Sequence, residues 1–598
     1  MKTRCVAALA ILLSFSVCCA QTLPPNIQEA VVLYQPLDMF PVDLNAAVYL
    51  NQNNGSQGSL VKVDPHTLEL TCIEVSSKPL HLQLVVPVVG SITKGDTLLI
   101  LLEARTLEHD AAYESGRLHL NMERRETWTK SLGYSSAISD ESQLLAIPFI
   151  AREDIAPSQG QVTIPIGYYP QKIQIQHLRL LNFGTQIQVD QLSTKQYEYE
   201  GYQADAPWRT LANERIETHR KAPLNITVLD ANQNPIPEAN VHVQMTKHAF
   251  PFGTAVNEWR MIGQAEKDII YREKFESLFN RATNETSLKW TSWVQPSRQE
   301  MAMQTLDWLN DRDIPVRGHT LVWPSWNKSP AFIKDLQDDP QGLRAAIESH
   351  IREIMTACQG KVVEWDVVNE VHNNRDLLDV LGDEQMDEWF RLAREIEPQL
   401  PLFINDFGIL QGSAGYELAK QESYYQLVKG MLDRGVPLDG IGFQSHFRLY
   451  AVTPPTRVWE ILDRYAALGL KLGITEYDFA WVSEAFQAQY LKDYMTACFA
   501  HPSVNQFVMW GFWDGSHWRE DGGMFALDWR EKPSLDVYMD LVFNQWWTDE
   551  NKVTDAQGHI QTRGFLGEYK LTVTANGNTV IQTLSLPKDG SSLQIVMP

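Results

Sequence analysis

The chain has 598 residues and carries 51 Lys plus Arg against 74 Asp plus Glu, a formal net charge of −23. A length several times that of a typical domain of about 100–200 residues predicts about two to four domains with well-buried cores. Because no stretch holds a dense cluster of basic residues that could follow a phosphate backbone, we expect no nucleic acid among its partners.

The first twenty residues have the layout of a secretory signal peptide. Two basic residues precede the apolar run Val6–Val17, which is too short to span a membrane, and small residues then lead to Ala20. We therefore predict that residues 1–20 are a signal peptide cleaved after Ala20, and that the mature protein is secreted, extracellular or periplasmic, without a membrane span. The alternative is a lipid anchor on Cys18, for which Val17 is a poorly fitting preceding residue.

The cysteines outside that peptide indicate no disulfide framework. Three of the six cysteines lie within residues 1–20, and the other three, Cys72, Cys358 and Cys498, are widely scattered and odd in number. We predict that these three are buried free thiols in a protein that is stable through the size of its core.

Residues 21–200 are predicted to form an all-β sandwich. Short runs rich in β-branched and apolar residues alternate with Gly, Pro, Asp and Ser turns. The phrases GDTLLILLEARTLE and IQIQHLRLLNFG resemble segments of the β-sandwich carbohydrate-binding modules that often precede polysaccharide hydrolases. Two interpretations stay open for this domain, sugar binding and a structural spacer. The predicted strands are Leu82–Val89, Thr97–Glu103, Leu118–Met122, Leu144–Ile150, Gln161–Ile166 and Ile173–Asn182.

Two small accessory segments flank the central part of the chain. Residues 208–249 are predicted as a helix over Trp208–Lys221 followed by a small β-unit with an Asn/Pro turn. Residues 546–598 contain several alternating strands joined by Gly and Asn turns and are predicted as a second small β-unit. We expect the two segments to pack together beside the domain that lies between them.

Residues 250–545 are predicted to form an α/β domain, a (β/α)8 TIM barrel. Short apolar runs alternate with amphipathic helical stretches, as repeated βα units require. In one such stretch Met386, Trp389 and Phe390 recur at helical spacing and predict an apolar stripe, while Asp387 is expected to face water. Eight strand candidates in under 300 residues match a closed parallel barrel. They are FPFGTAV, FNRATN, PVRGHTLVW, VEWDVVNE, LFIND, IGFQSH, LGITEYD and FVMWGFWD.

Polar residues gather at the C-terminal ends of these strands. In a parallel barrel those ends surround one mouth, so residues far apart in sequence converge there. Glu370 and Glu476 follow the fourth and seventh strands and would lie across the mouth from each other. Hydrolysis of a glycosidic bond requires such a pair, because one carboxylic acid protonates the departing oxygen while a second carboxylate acts on the opposite side of the sugar, as nucleophile or through water.

Four short motifs follow one another along residues 250–545. They are GHTLVW at Gly318–Trp323, WDVVNE at Trp365–Glu370, FQSH at Phe443–His446 and GITEYD at Gly473–Asp478. Together they resemble the motifs of the family 10 glycoside hydrolases, the endo-β-1,4-xylanases, in the family's order. The resemblance implies a retaining double displacement with Glu370 as acid/base and Glu476 as nucleophile. The expected function is therefore secreted cleavage of internal β-1,4-xylosidic bonds of xylan.

Three further residues are expected to support this pair. A nucleophile must stay ionised while the acid stays protonated, so the two carboxyl groups need different surroundings. His446 would hydrogen-bond the Glu476 carboxylate, and Asp478 would orient the imidazole. The resemblance assigns Asn369 to the 2-hydroxyl of the sugar beside the scissile bond, a contact that strengthens in the transition state.

The resemblance also implies a set of substrate-binding residues. Trp510 and Trp518, eight positions apart, match the two aromatic covers over the family's cleft. Gln444 lies two positions before His446, which places both side chains on the inner face of the barrel. Four other residues match positions that line the sugar subsites on the non-reducing side. They are Glu285, Lys289, His319 and Trp323.

The chain departs from the family pattern at three positions. Thr286 stands where the family has Asn, Pro324 where it has His, and Trp326 where it has Gln. These changes remove hydrogen-bonding groups and introduce a bulky indole without touching the catalytic pair. A related barrel glycosidase acting on another β-glycan is therefore an alternative, and both endo and exo action stay open.

The sequence gives less support to two rival classes of protein. A metal-dependent hydrolase is disfavoured because the sequence has no His-x-His or His-Glu-x-x-His spacing. A non-catalytic polysaccharide-binding protein is disfavoured because both glutamates and their neighbours are retained. We expect no metal and no other cofactor, a polysaccharide as the partner, and a monomer.

Overall fold

A computed structural model describes residues 23–598 apart from 77–78, 111–114, 193–197, 412–415, 448–451, 481 and 520. The predicted signal peptide, residues 1–20, lies outside the described residues. From the amino terminus, the described chain forms an antiparallel sandwich, a small β-unit shared by two distant segments, and a parallel barrel.

The amino-terminal domain is a sandwich of two antiparallel sheets. One sheet has the order β3-β4-β11-β6-β9 with β1 paired to β11, and the other has the order β2-β5-β10-β7-β8. The strands are β1 Leu37–Asp38, β2 Tyr49–Gln52, β3 Gln57–Asp64, β4 Thr67–Glu74, β5 Leu82–Val88, β6 Thr97–His109, β7 Gly116–Arg124, β8 Lys130–Ile138, β9 Gln143–Ile150, β10 Gly160–Pro165 and β11 Gln171–Asn182.

Strand β6 has a long apolar run because both of its faces are buried. Leu98 and Ile100 point into the core between the two sheets, because alternate residues of a strand face opposite sides. Leu99 and Leu101 point the other way and pack in a second cluster with Ile27 of helix α1. Each fully buried side chain of this kind contributes roughly 1.5–3 kcal/mol. The helices of this domain are α1 Pro25–Tyr34 and α2 Leu44–Ala47.

The segments on either side of the barrel form two shared small sheets. Strand β12 pairs antiparallel with β24 and parallel with β27, and strand β13 pairs antiparallel with β23 and β25. Residues from both ends of the barrel segment thus complete one β-unit. Its elements are α3 Pro207–Arg220, β12 Lys221–Leu229, β13 Asn240–His248, β23 Asp549–Val553, β24 His559–Phe565, β25 Gly567–Ala575, β26 Asn578–Leu586 and β27 Ser591–Val596.

The central domain is a closed barrel of parallel strands. Strand β19 pairs with both β18 and β21, and β14 pairs with both β15 and β22, so the sheet has no free edge there. The sixth predicted strand is interrupted at Gln444 and Ser445, where Ser445 has φ 67°. The strands are β14 Phe252–Val256, β15 Arg281–Asn284, β16 Val316–Val322, β17 Glu364–Asn369, β18 Leu402–Asp406, β19 Gly440–Phe443, β20 His446–Phe447, β21 Lys471–Phe479 and β22 Val504–Met509.

Helices surround the barrel and bury their apolar faces against it. In the helix Gln385–Ile396 the side chains of Met386, Trp389 and Phe390 are fully buried. The expectation that Asp387 faces water is wrong, because it is 3% exposed and accepts a hydrogen bond from Arg434 Nε at 2.6 Å. The α-helices are α4 Glu258–Ile262, α5 Glu266–Leu278, α6 Trp290–Trp293, α7 Pro296–Asn310, α8 Ala331–Lys334, α9 Pro340–Ala357, α10 Asp376–Leu381, α11 Gln385–Ile396, α12 Tyr416–Asp433, α13 Pro455–Ala466, α14 Glu484–Ala500 and α15 Pro533–Asp540.

The predicted fold class, a (β/α)8 barrel with an amino-terminal all-β sandwich and small β accessory segments, is confirmed. Cys72, Cys358 and Cys498 are buried free thiols. Among the described helices, none is both long enough and apolar enough to cross a membrane.

Candidate active site

The two predicted catalytic glutamates lie at the carboxyl ends of barrel strands. Glu370 directly follows β17, and Glu476 lies in the C-terminal half of β21. Glu370 has φ 56°, a left-handed conformation that costs a bulky residue roughly 1–2 kcal/mol. Its backbone is held there, since its N–H donates to the Asn405 carbonyl at 2.8 Å and its carbonyl accepts from Asn374 Nδ2 at 3.1 Å. The strained backbone thus sets the position of the Glu370 carboxyl group.

A chain of side-chain amides joins the two carboxyl groups. Gln444 Nε2 donates to Glu370 Oε1 at 3.0 Å and to Asn369 Oδ1 at 3.3 Å. Asn405 Nδ2 donates to the same Asn369 oxygen at 3.0 Å and to Glu476 Oε1 at 2.7 Å. Asn369 Oδ1 therefore accepts from both side-chain amides, and each of these amides also binds one of the two carboxyl groups.

The second oxygen of Glu476 faces an imidazole. His446 Nε2 lies 3.1 Å from Glu476 Oε2, and its Nδ1 lies 2.9 Å from Asp478 Oδ2. Asp478 is held in turn by Arg519, whose Nη1 donates to Oδ1 at 2.7 Å, and by Trp518, whose Nε1 donates to Oδ2 at 2.7 Å. The predicted contact of His446 with Glu476 and its orientation by Asp478 are both present in this geometry.

The surroundings give the titratable groups different protonation behaviour. The pKa of Glu370 is raised to about 7, chiefly by burial and also by the nearby charges of Glu476 and Asp406, whereas the hydrogen bond from Gln444 opposes the rise. Burial disfavours the charged form of His446, yet the carboxylates of Asp478 and Glu476 outweigh it, so the pKa of His446 is raised. A carboxylic acid that stays protonated near neutral pH is what general-acid catalysis requires.

The predicted sugar-binding residues converge on the same mouth. Lys289 Nζ lies 5.5 Å from the centre of the Trp323 ring and 5.7 Å from that of Trp510. His319 packs edge to face on Trp510 with ring centres 5.1 Å apart, and its Nδ1 lies 2.9 Å from Asp366 Oδ2. These contacts build one wall of the mouth from strands β16 and β22 and helix α6.

Glu285 lies beside this wall and is electrostatically coupled to the catalytic centre. The pKa of Glu285 is raised to about 7, chiefly by burial and also by the charges of Glu258 and Glu476, while Lys289 and a hydrogen bond from Asn257 oppose the rise. A neutral carboxyl group at this position can both donate and accept hydrogen bonds.

The aromatic pair predicted to cover the cleft differs in exposure. Trp510 is 6% exposed and lies 6.3 Å from the His446 ring, whereas Trp518 is 53% exposed with its ring 4.9 Å from the same imidazole. Trp518 therefore offers an exposed indole next to the His446 imidazole, suited to stacking on sugar C–H groups. With this pair, all twelve predicted site residues lie in one connected region.

Two buried donors among the predicted site residues are unpaired within the described part of the chain. Asn369 Nδ2 and Trp323 Nε1 are inaccessible to solvent and have no hydrogen-bond partner among the described residues. Buried polar groups are almost always paired, so unpaired ones at a mouth of this kind are available to a ligand.

Sequence reasoning missed three residues that build the site. Asn405 is in the strand-end pattern but receives no predicted role, although it binds the Glu476 carboxylate. Arg519 and Asn374 carry no sequence signal beyond their neighbours Trp518 and Glu370, and only the tertiary structure places them.

The three departures from the family pattern lie on the loops that follow β15 and β16. The Thr286 N–H donates to Glu258 Oε1 at 2.7 Å. The loop through Pro324 and Trp326 is held by Asp376, which accepts from the Trp326 N–H at 2.9 Å. Within the described ranges, no group of three or more His, Cys, Asp or Glu residues is arranged to hold a metal ion.

Two curated relatives each match more than half of the chain. The anti-sigma-I factor RsgI6 of Acetivibrio thermocellus is 33% identical over 393 residues, 65% of this chain and 49% of that protein. Endo-1,4-beta-xylanase 1 of Arabidopsis thaliana is 25% identical over 383 residues, 63% of this chain and 39% of that protein. The chain thus spans about half or less of the length of these curated relatives.

A solved structure, xylanase 10B from Thermotoga petrophila RKU-1 in complex with xylobiose, matches with 26% identity and a TM-score of 0.45, covering 50% of this chain and 95% of that one. The profile of Glycosyl hydrolase family 10 matches residues 242–540, half of the sequence. This match contains every barrel strand and both glutamates, and the chain therefore belongs to glycosyl hydrolase family 10.

Proposed function

We propose that this protein is a secreted, retaining glycoside hydrolase that cleaves internal β-1,4-xylosidic bonds of xylan. The observation that carries the proposal is the pair Glu370 and Glu476, joined through one amide network but held in different surroundings. The name of the relative from Arabidopsis thaliana, an endo-1,4-beta-xylanase, supports the substrate and the internal cleavage.

In the proposed double displacement each residue of the site has a role. Glu370, protonated near neutral pH, donates its proton to the departing glycosidic oxygen while Glu476 attacks the anomeric carbon and forms a glycosyl-enzyme. Glu370, now ionised, then removes a proton from the water that releases the sugar. Asn405 and His446 each occupy one oxygen of Glu476 and hold the carboxylate in position. The unpaired Asn369 Nδ2 is available to the sugar 2-hydroxyl.

The test is cleavage of xylan by the purified protein and by Glu476→Ala, each with and without a chelator. Glu531→Ala, which removes an exposed carboxylate outside the site, is the matched control. We expect reducing sugar from the unmodified protein and the control, no effect of the chelator, and no product from Glu476→Ala. Proton NMR of the first product should show the β-anomer, as retention requires.

Other outcomes would replace this proposal. Loss of activity on chelation alone would indicate a metal-dependent hydrolase. If the unmodified protein releases no sugar from xylan, β-glucan or mannan, a non-catalytic polysaccharide-binding protein becomes the better description.

A second candidate is a related glycosidase that acts on another β-glycan. Thr286, Pro324 and Trp326 favour it, because they change the lining of the sugar subsites while the catalytic pair is intact. A product profile on defined xylo-oligosaccharides and gluco-oligosaccharides separates the two candidates and also distinguishes endo from exo action.

Secretion and sugar binding by the amino-terminal sandwich complete the proposal. The layout of residues 1–20 supports secretion. Amino-terminal sequencing of the mature protein should begin at Gln21, and a retained leader would contradict cleavage after Ala20. The resemblance of the sandwich to carbohydrate-binding modules supports sugar binding.

A further inference from the structure

A buried ion pair lies behind the acid/base, and the proposed reaction does not use it. Lys420 Nζ donates to Asp406 Oδ1 at 3.0 Å, and the two side chains are 2% and 0% exposed. The ammonium also lies 3.6 Å from the centre of the Phe407 ring. Because burying two charges costs several kcal/mol per ion, such a pair is weak evidence for a stabilising role alone.

The pair holds the segment that follows Glu370. Lys420 Nζ donates to Asn373 Oδ1 at 3.2 Å, and the His372 N–H donates to Asp406 Oδ2 at 3.2 Å. The next residue, Asn374, donates from Nδ2 to Glu370 Oε2 at 3.3 Å. Every residue from 372 to 374 is thus tied either to the ion pair or to the acid itself.

The pair also contributes to the charges that face the acid. Asp406 on β18 and Glu476 on β21 act on the Glu370 carboxyl group as like charges, and His446 on β20 acts as an opposite charge. Lys420 on α12 is attracted to Glu370 and offsets Asp406. On the acid's own loop, His372 interacts with Asp406 and Lys420, and Arg375 lies beside it.

We infer that Asp406 and Lys420 are positioning residues for the acid/base step: the buried pair anchors residues 372–374 behind Glu370 and adds the Asp406 carboxylate to the charged groups around that acid. This inference rests on the proposed role of Glu370. Asp406 also accepts hydrogen bonds from the backbone N–H groups of His372 at 3.2 Å and Phe407 at 2.8 Å, and its side chain keeps these two donors when Lys420 is replaced.

The experiment measures the Glu370 pKa directly, by carbon-13 NMR titration of protein labelled at the glutamate carboxyl carbon, with the resonance assigned by Glu370→Gln. Asp406→Asn removes a like charge near Glu370, so the pKa of Glu370 should fall. Lys420→Met removes the positive charge that offsets Asp406, so the pKa of Glu370 should rise. We expect shifts of about half a pH unit or more in opposite directions. In Lys420→Arg, which keeps the positive charge, the pKa of Glu370 should stay near its wild-type value.

The basic limb of kcat/KM on xylan should move with the NMR value in each variant. Both substitutions remove the same contact, so a purely structural role predicts losses without opposite shifts. Shifts in the same direction, or none, would overturn the inference. Because the titration needs no turnover, an inactive wild-type protein would overturn the proposed function while the NMR shifts still decide the inference.

A variant that leaves one buried charge unpaired can fail to fold. The double variant Asp406→Asn/Lys420→Met then replaces the single ones, since it leaves no unpaired charge. The double variant removes the Asp406 charge, which raises the Glu370 pKa, so the pKa of Glu370 should lie below the wild-type value. An unchanged value in the folded double variant contradicts the inference.

Discussion

His446 Nε2 lies 3.1 Å from Glu476 Oε2, in line with a second carboxylate on the other side of the ring. An imidazole with a carboxylate at each nitrogen is stabilised in its charged form, which is why the pKa of His446 is raised although burial opposes it. Asn405 occupies the remaining oxygen of Glu476. Each oxygen of the Glu476 carboxylate thus has a partner, and the two contacts restrain rotation of the side chain.

Replacing the acid should affect substrates according to their leaving group. Glu370→Ala should lower kcat/KM on xylan by about 10²–10⁴-fold, the usual contribution of a general acid. A dinitrophenyl xylobioside should lose far less in its first step, because dinitrophenolate departs without a proton. Stopped-flow measurement of phenolate release checks this. Equal losses on the two substrates would argue against Glu370 as the acid.

The pH profile should reflect the acid. Glu370 must be protonated to act, and its pKa is raised to about 7. Activity is therefore present below this pKa and lost as the pH rises through it. Initial rates of kcat/KM on xylan across the pH range should show a basic limb near pH 7. A limb that persists unchanged in Glu370→Ala would assign it to another group.

Arg519 should be required for stability as well as for the site. Its side chain and that of Asp478 are 4% and 0% exposed, so Arg519→Ala removes the guanidinium partner of a buried carboxylate and leaves Asp478 Oδ1 without this donor. We expect a loss of about 3–5 kcal/mol in the free energy of unfolding, the usual result of removing one member of a buried pair. Urea unfolding followed by tryptophan fluorescence measures it.

The matched control for that experiment is Arg530→Ala, which breaks the exposed pair of Arg530 and Glu484. Exposed pairs contribute little, so the unfolding midpoint should hardly move. Equal effects of the two substitutions would contradict the importance of burial for Arg519.

Restoring the family residues should change sugar preference. Thr286→Asn and Trp326→Gln replace the departures with the family's amides, and we expect a higher kcat/KM on unsubstituted xylo-oligosaccharides. Chromatographic product profiles on xylo- and gluco-oligosaccharides provide the measurement. If the preference is the same before and after, these positions do not select the substrate.

Two truncations should separate the sandwich from the barrel. Tyr199 donates to Asp493 at 2.7 Å and packs against Tyr490, so it belongs with the barrel. Removal of residues 21–192 should preserve barrel stability, whereas removal of 21–205 should lower the melting temperature. If the sandwich binds sugar, both should elute earlier from insoluble xylan than the full chain. Unchanged retention would leave the sandwich as a spacer.

The sequence by itself was sufficient for the barrel and for its reacting pair. Parallel strands alternating with amphipathic helices have a strong periodic signal, and the carboxyl ends of such strands always meet at one mouth. Glu370 and Glu476 could therefore be placed together although they lie far apart in the chain. Their proposed roles rest on the chemistry of glycosidic hydrolysis and on the resemblance of the surrounding motifs to those of the family.

Only the tertiary structure decided which side chains surround that pair. Asn405, Arg519 and Lys420 act through contacts across the barrel, and those depend on where closure brings each side chain rather than on local pattern. The burial of Asp387 against Arg434 and the break at Ser445 have the same origin. Local sequence specifies the hydrophobic period and the helix or strand propensity of each element. The partner of a buried charge is set by the packing of elements that are distant in sequence.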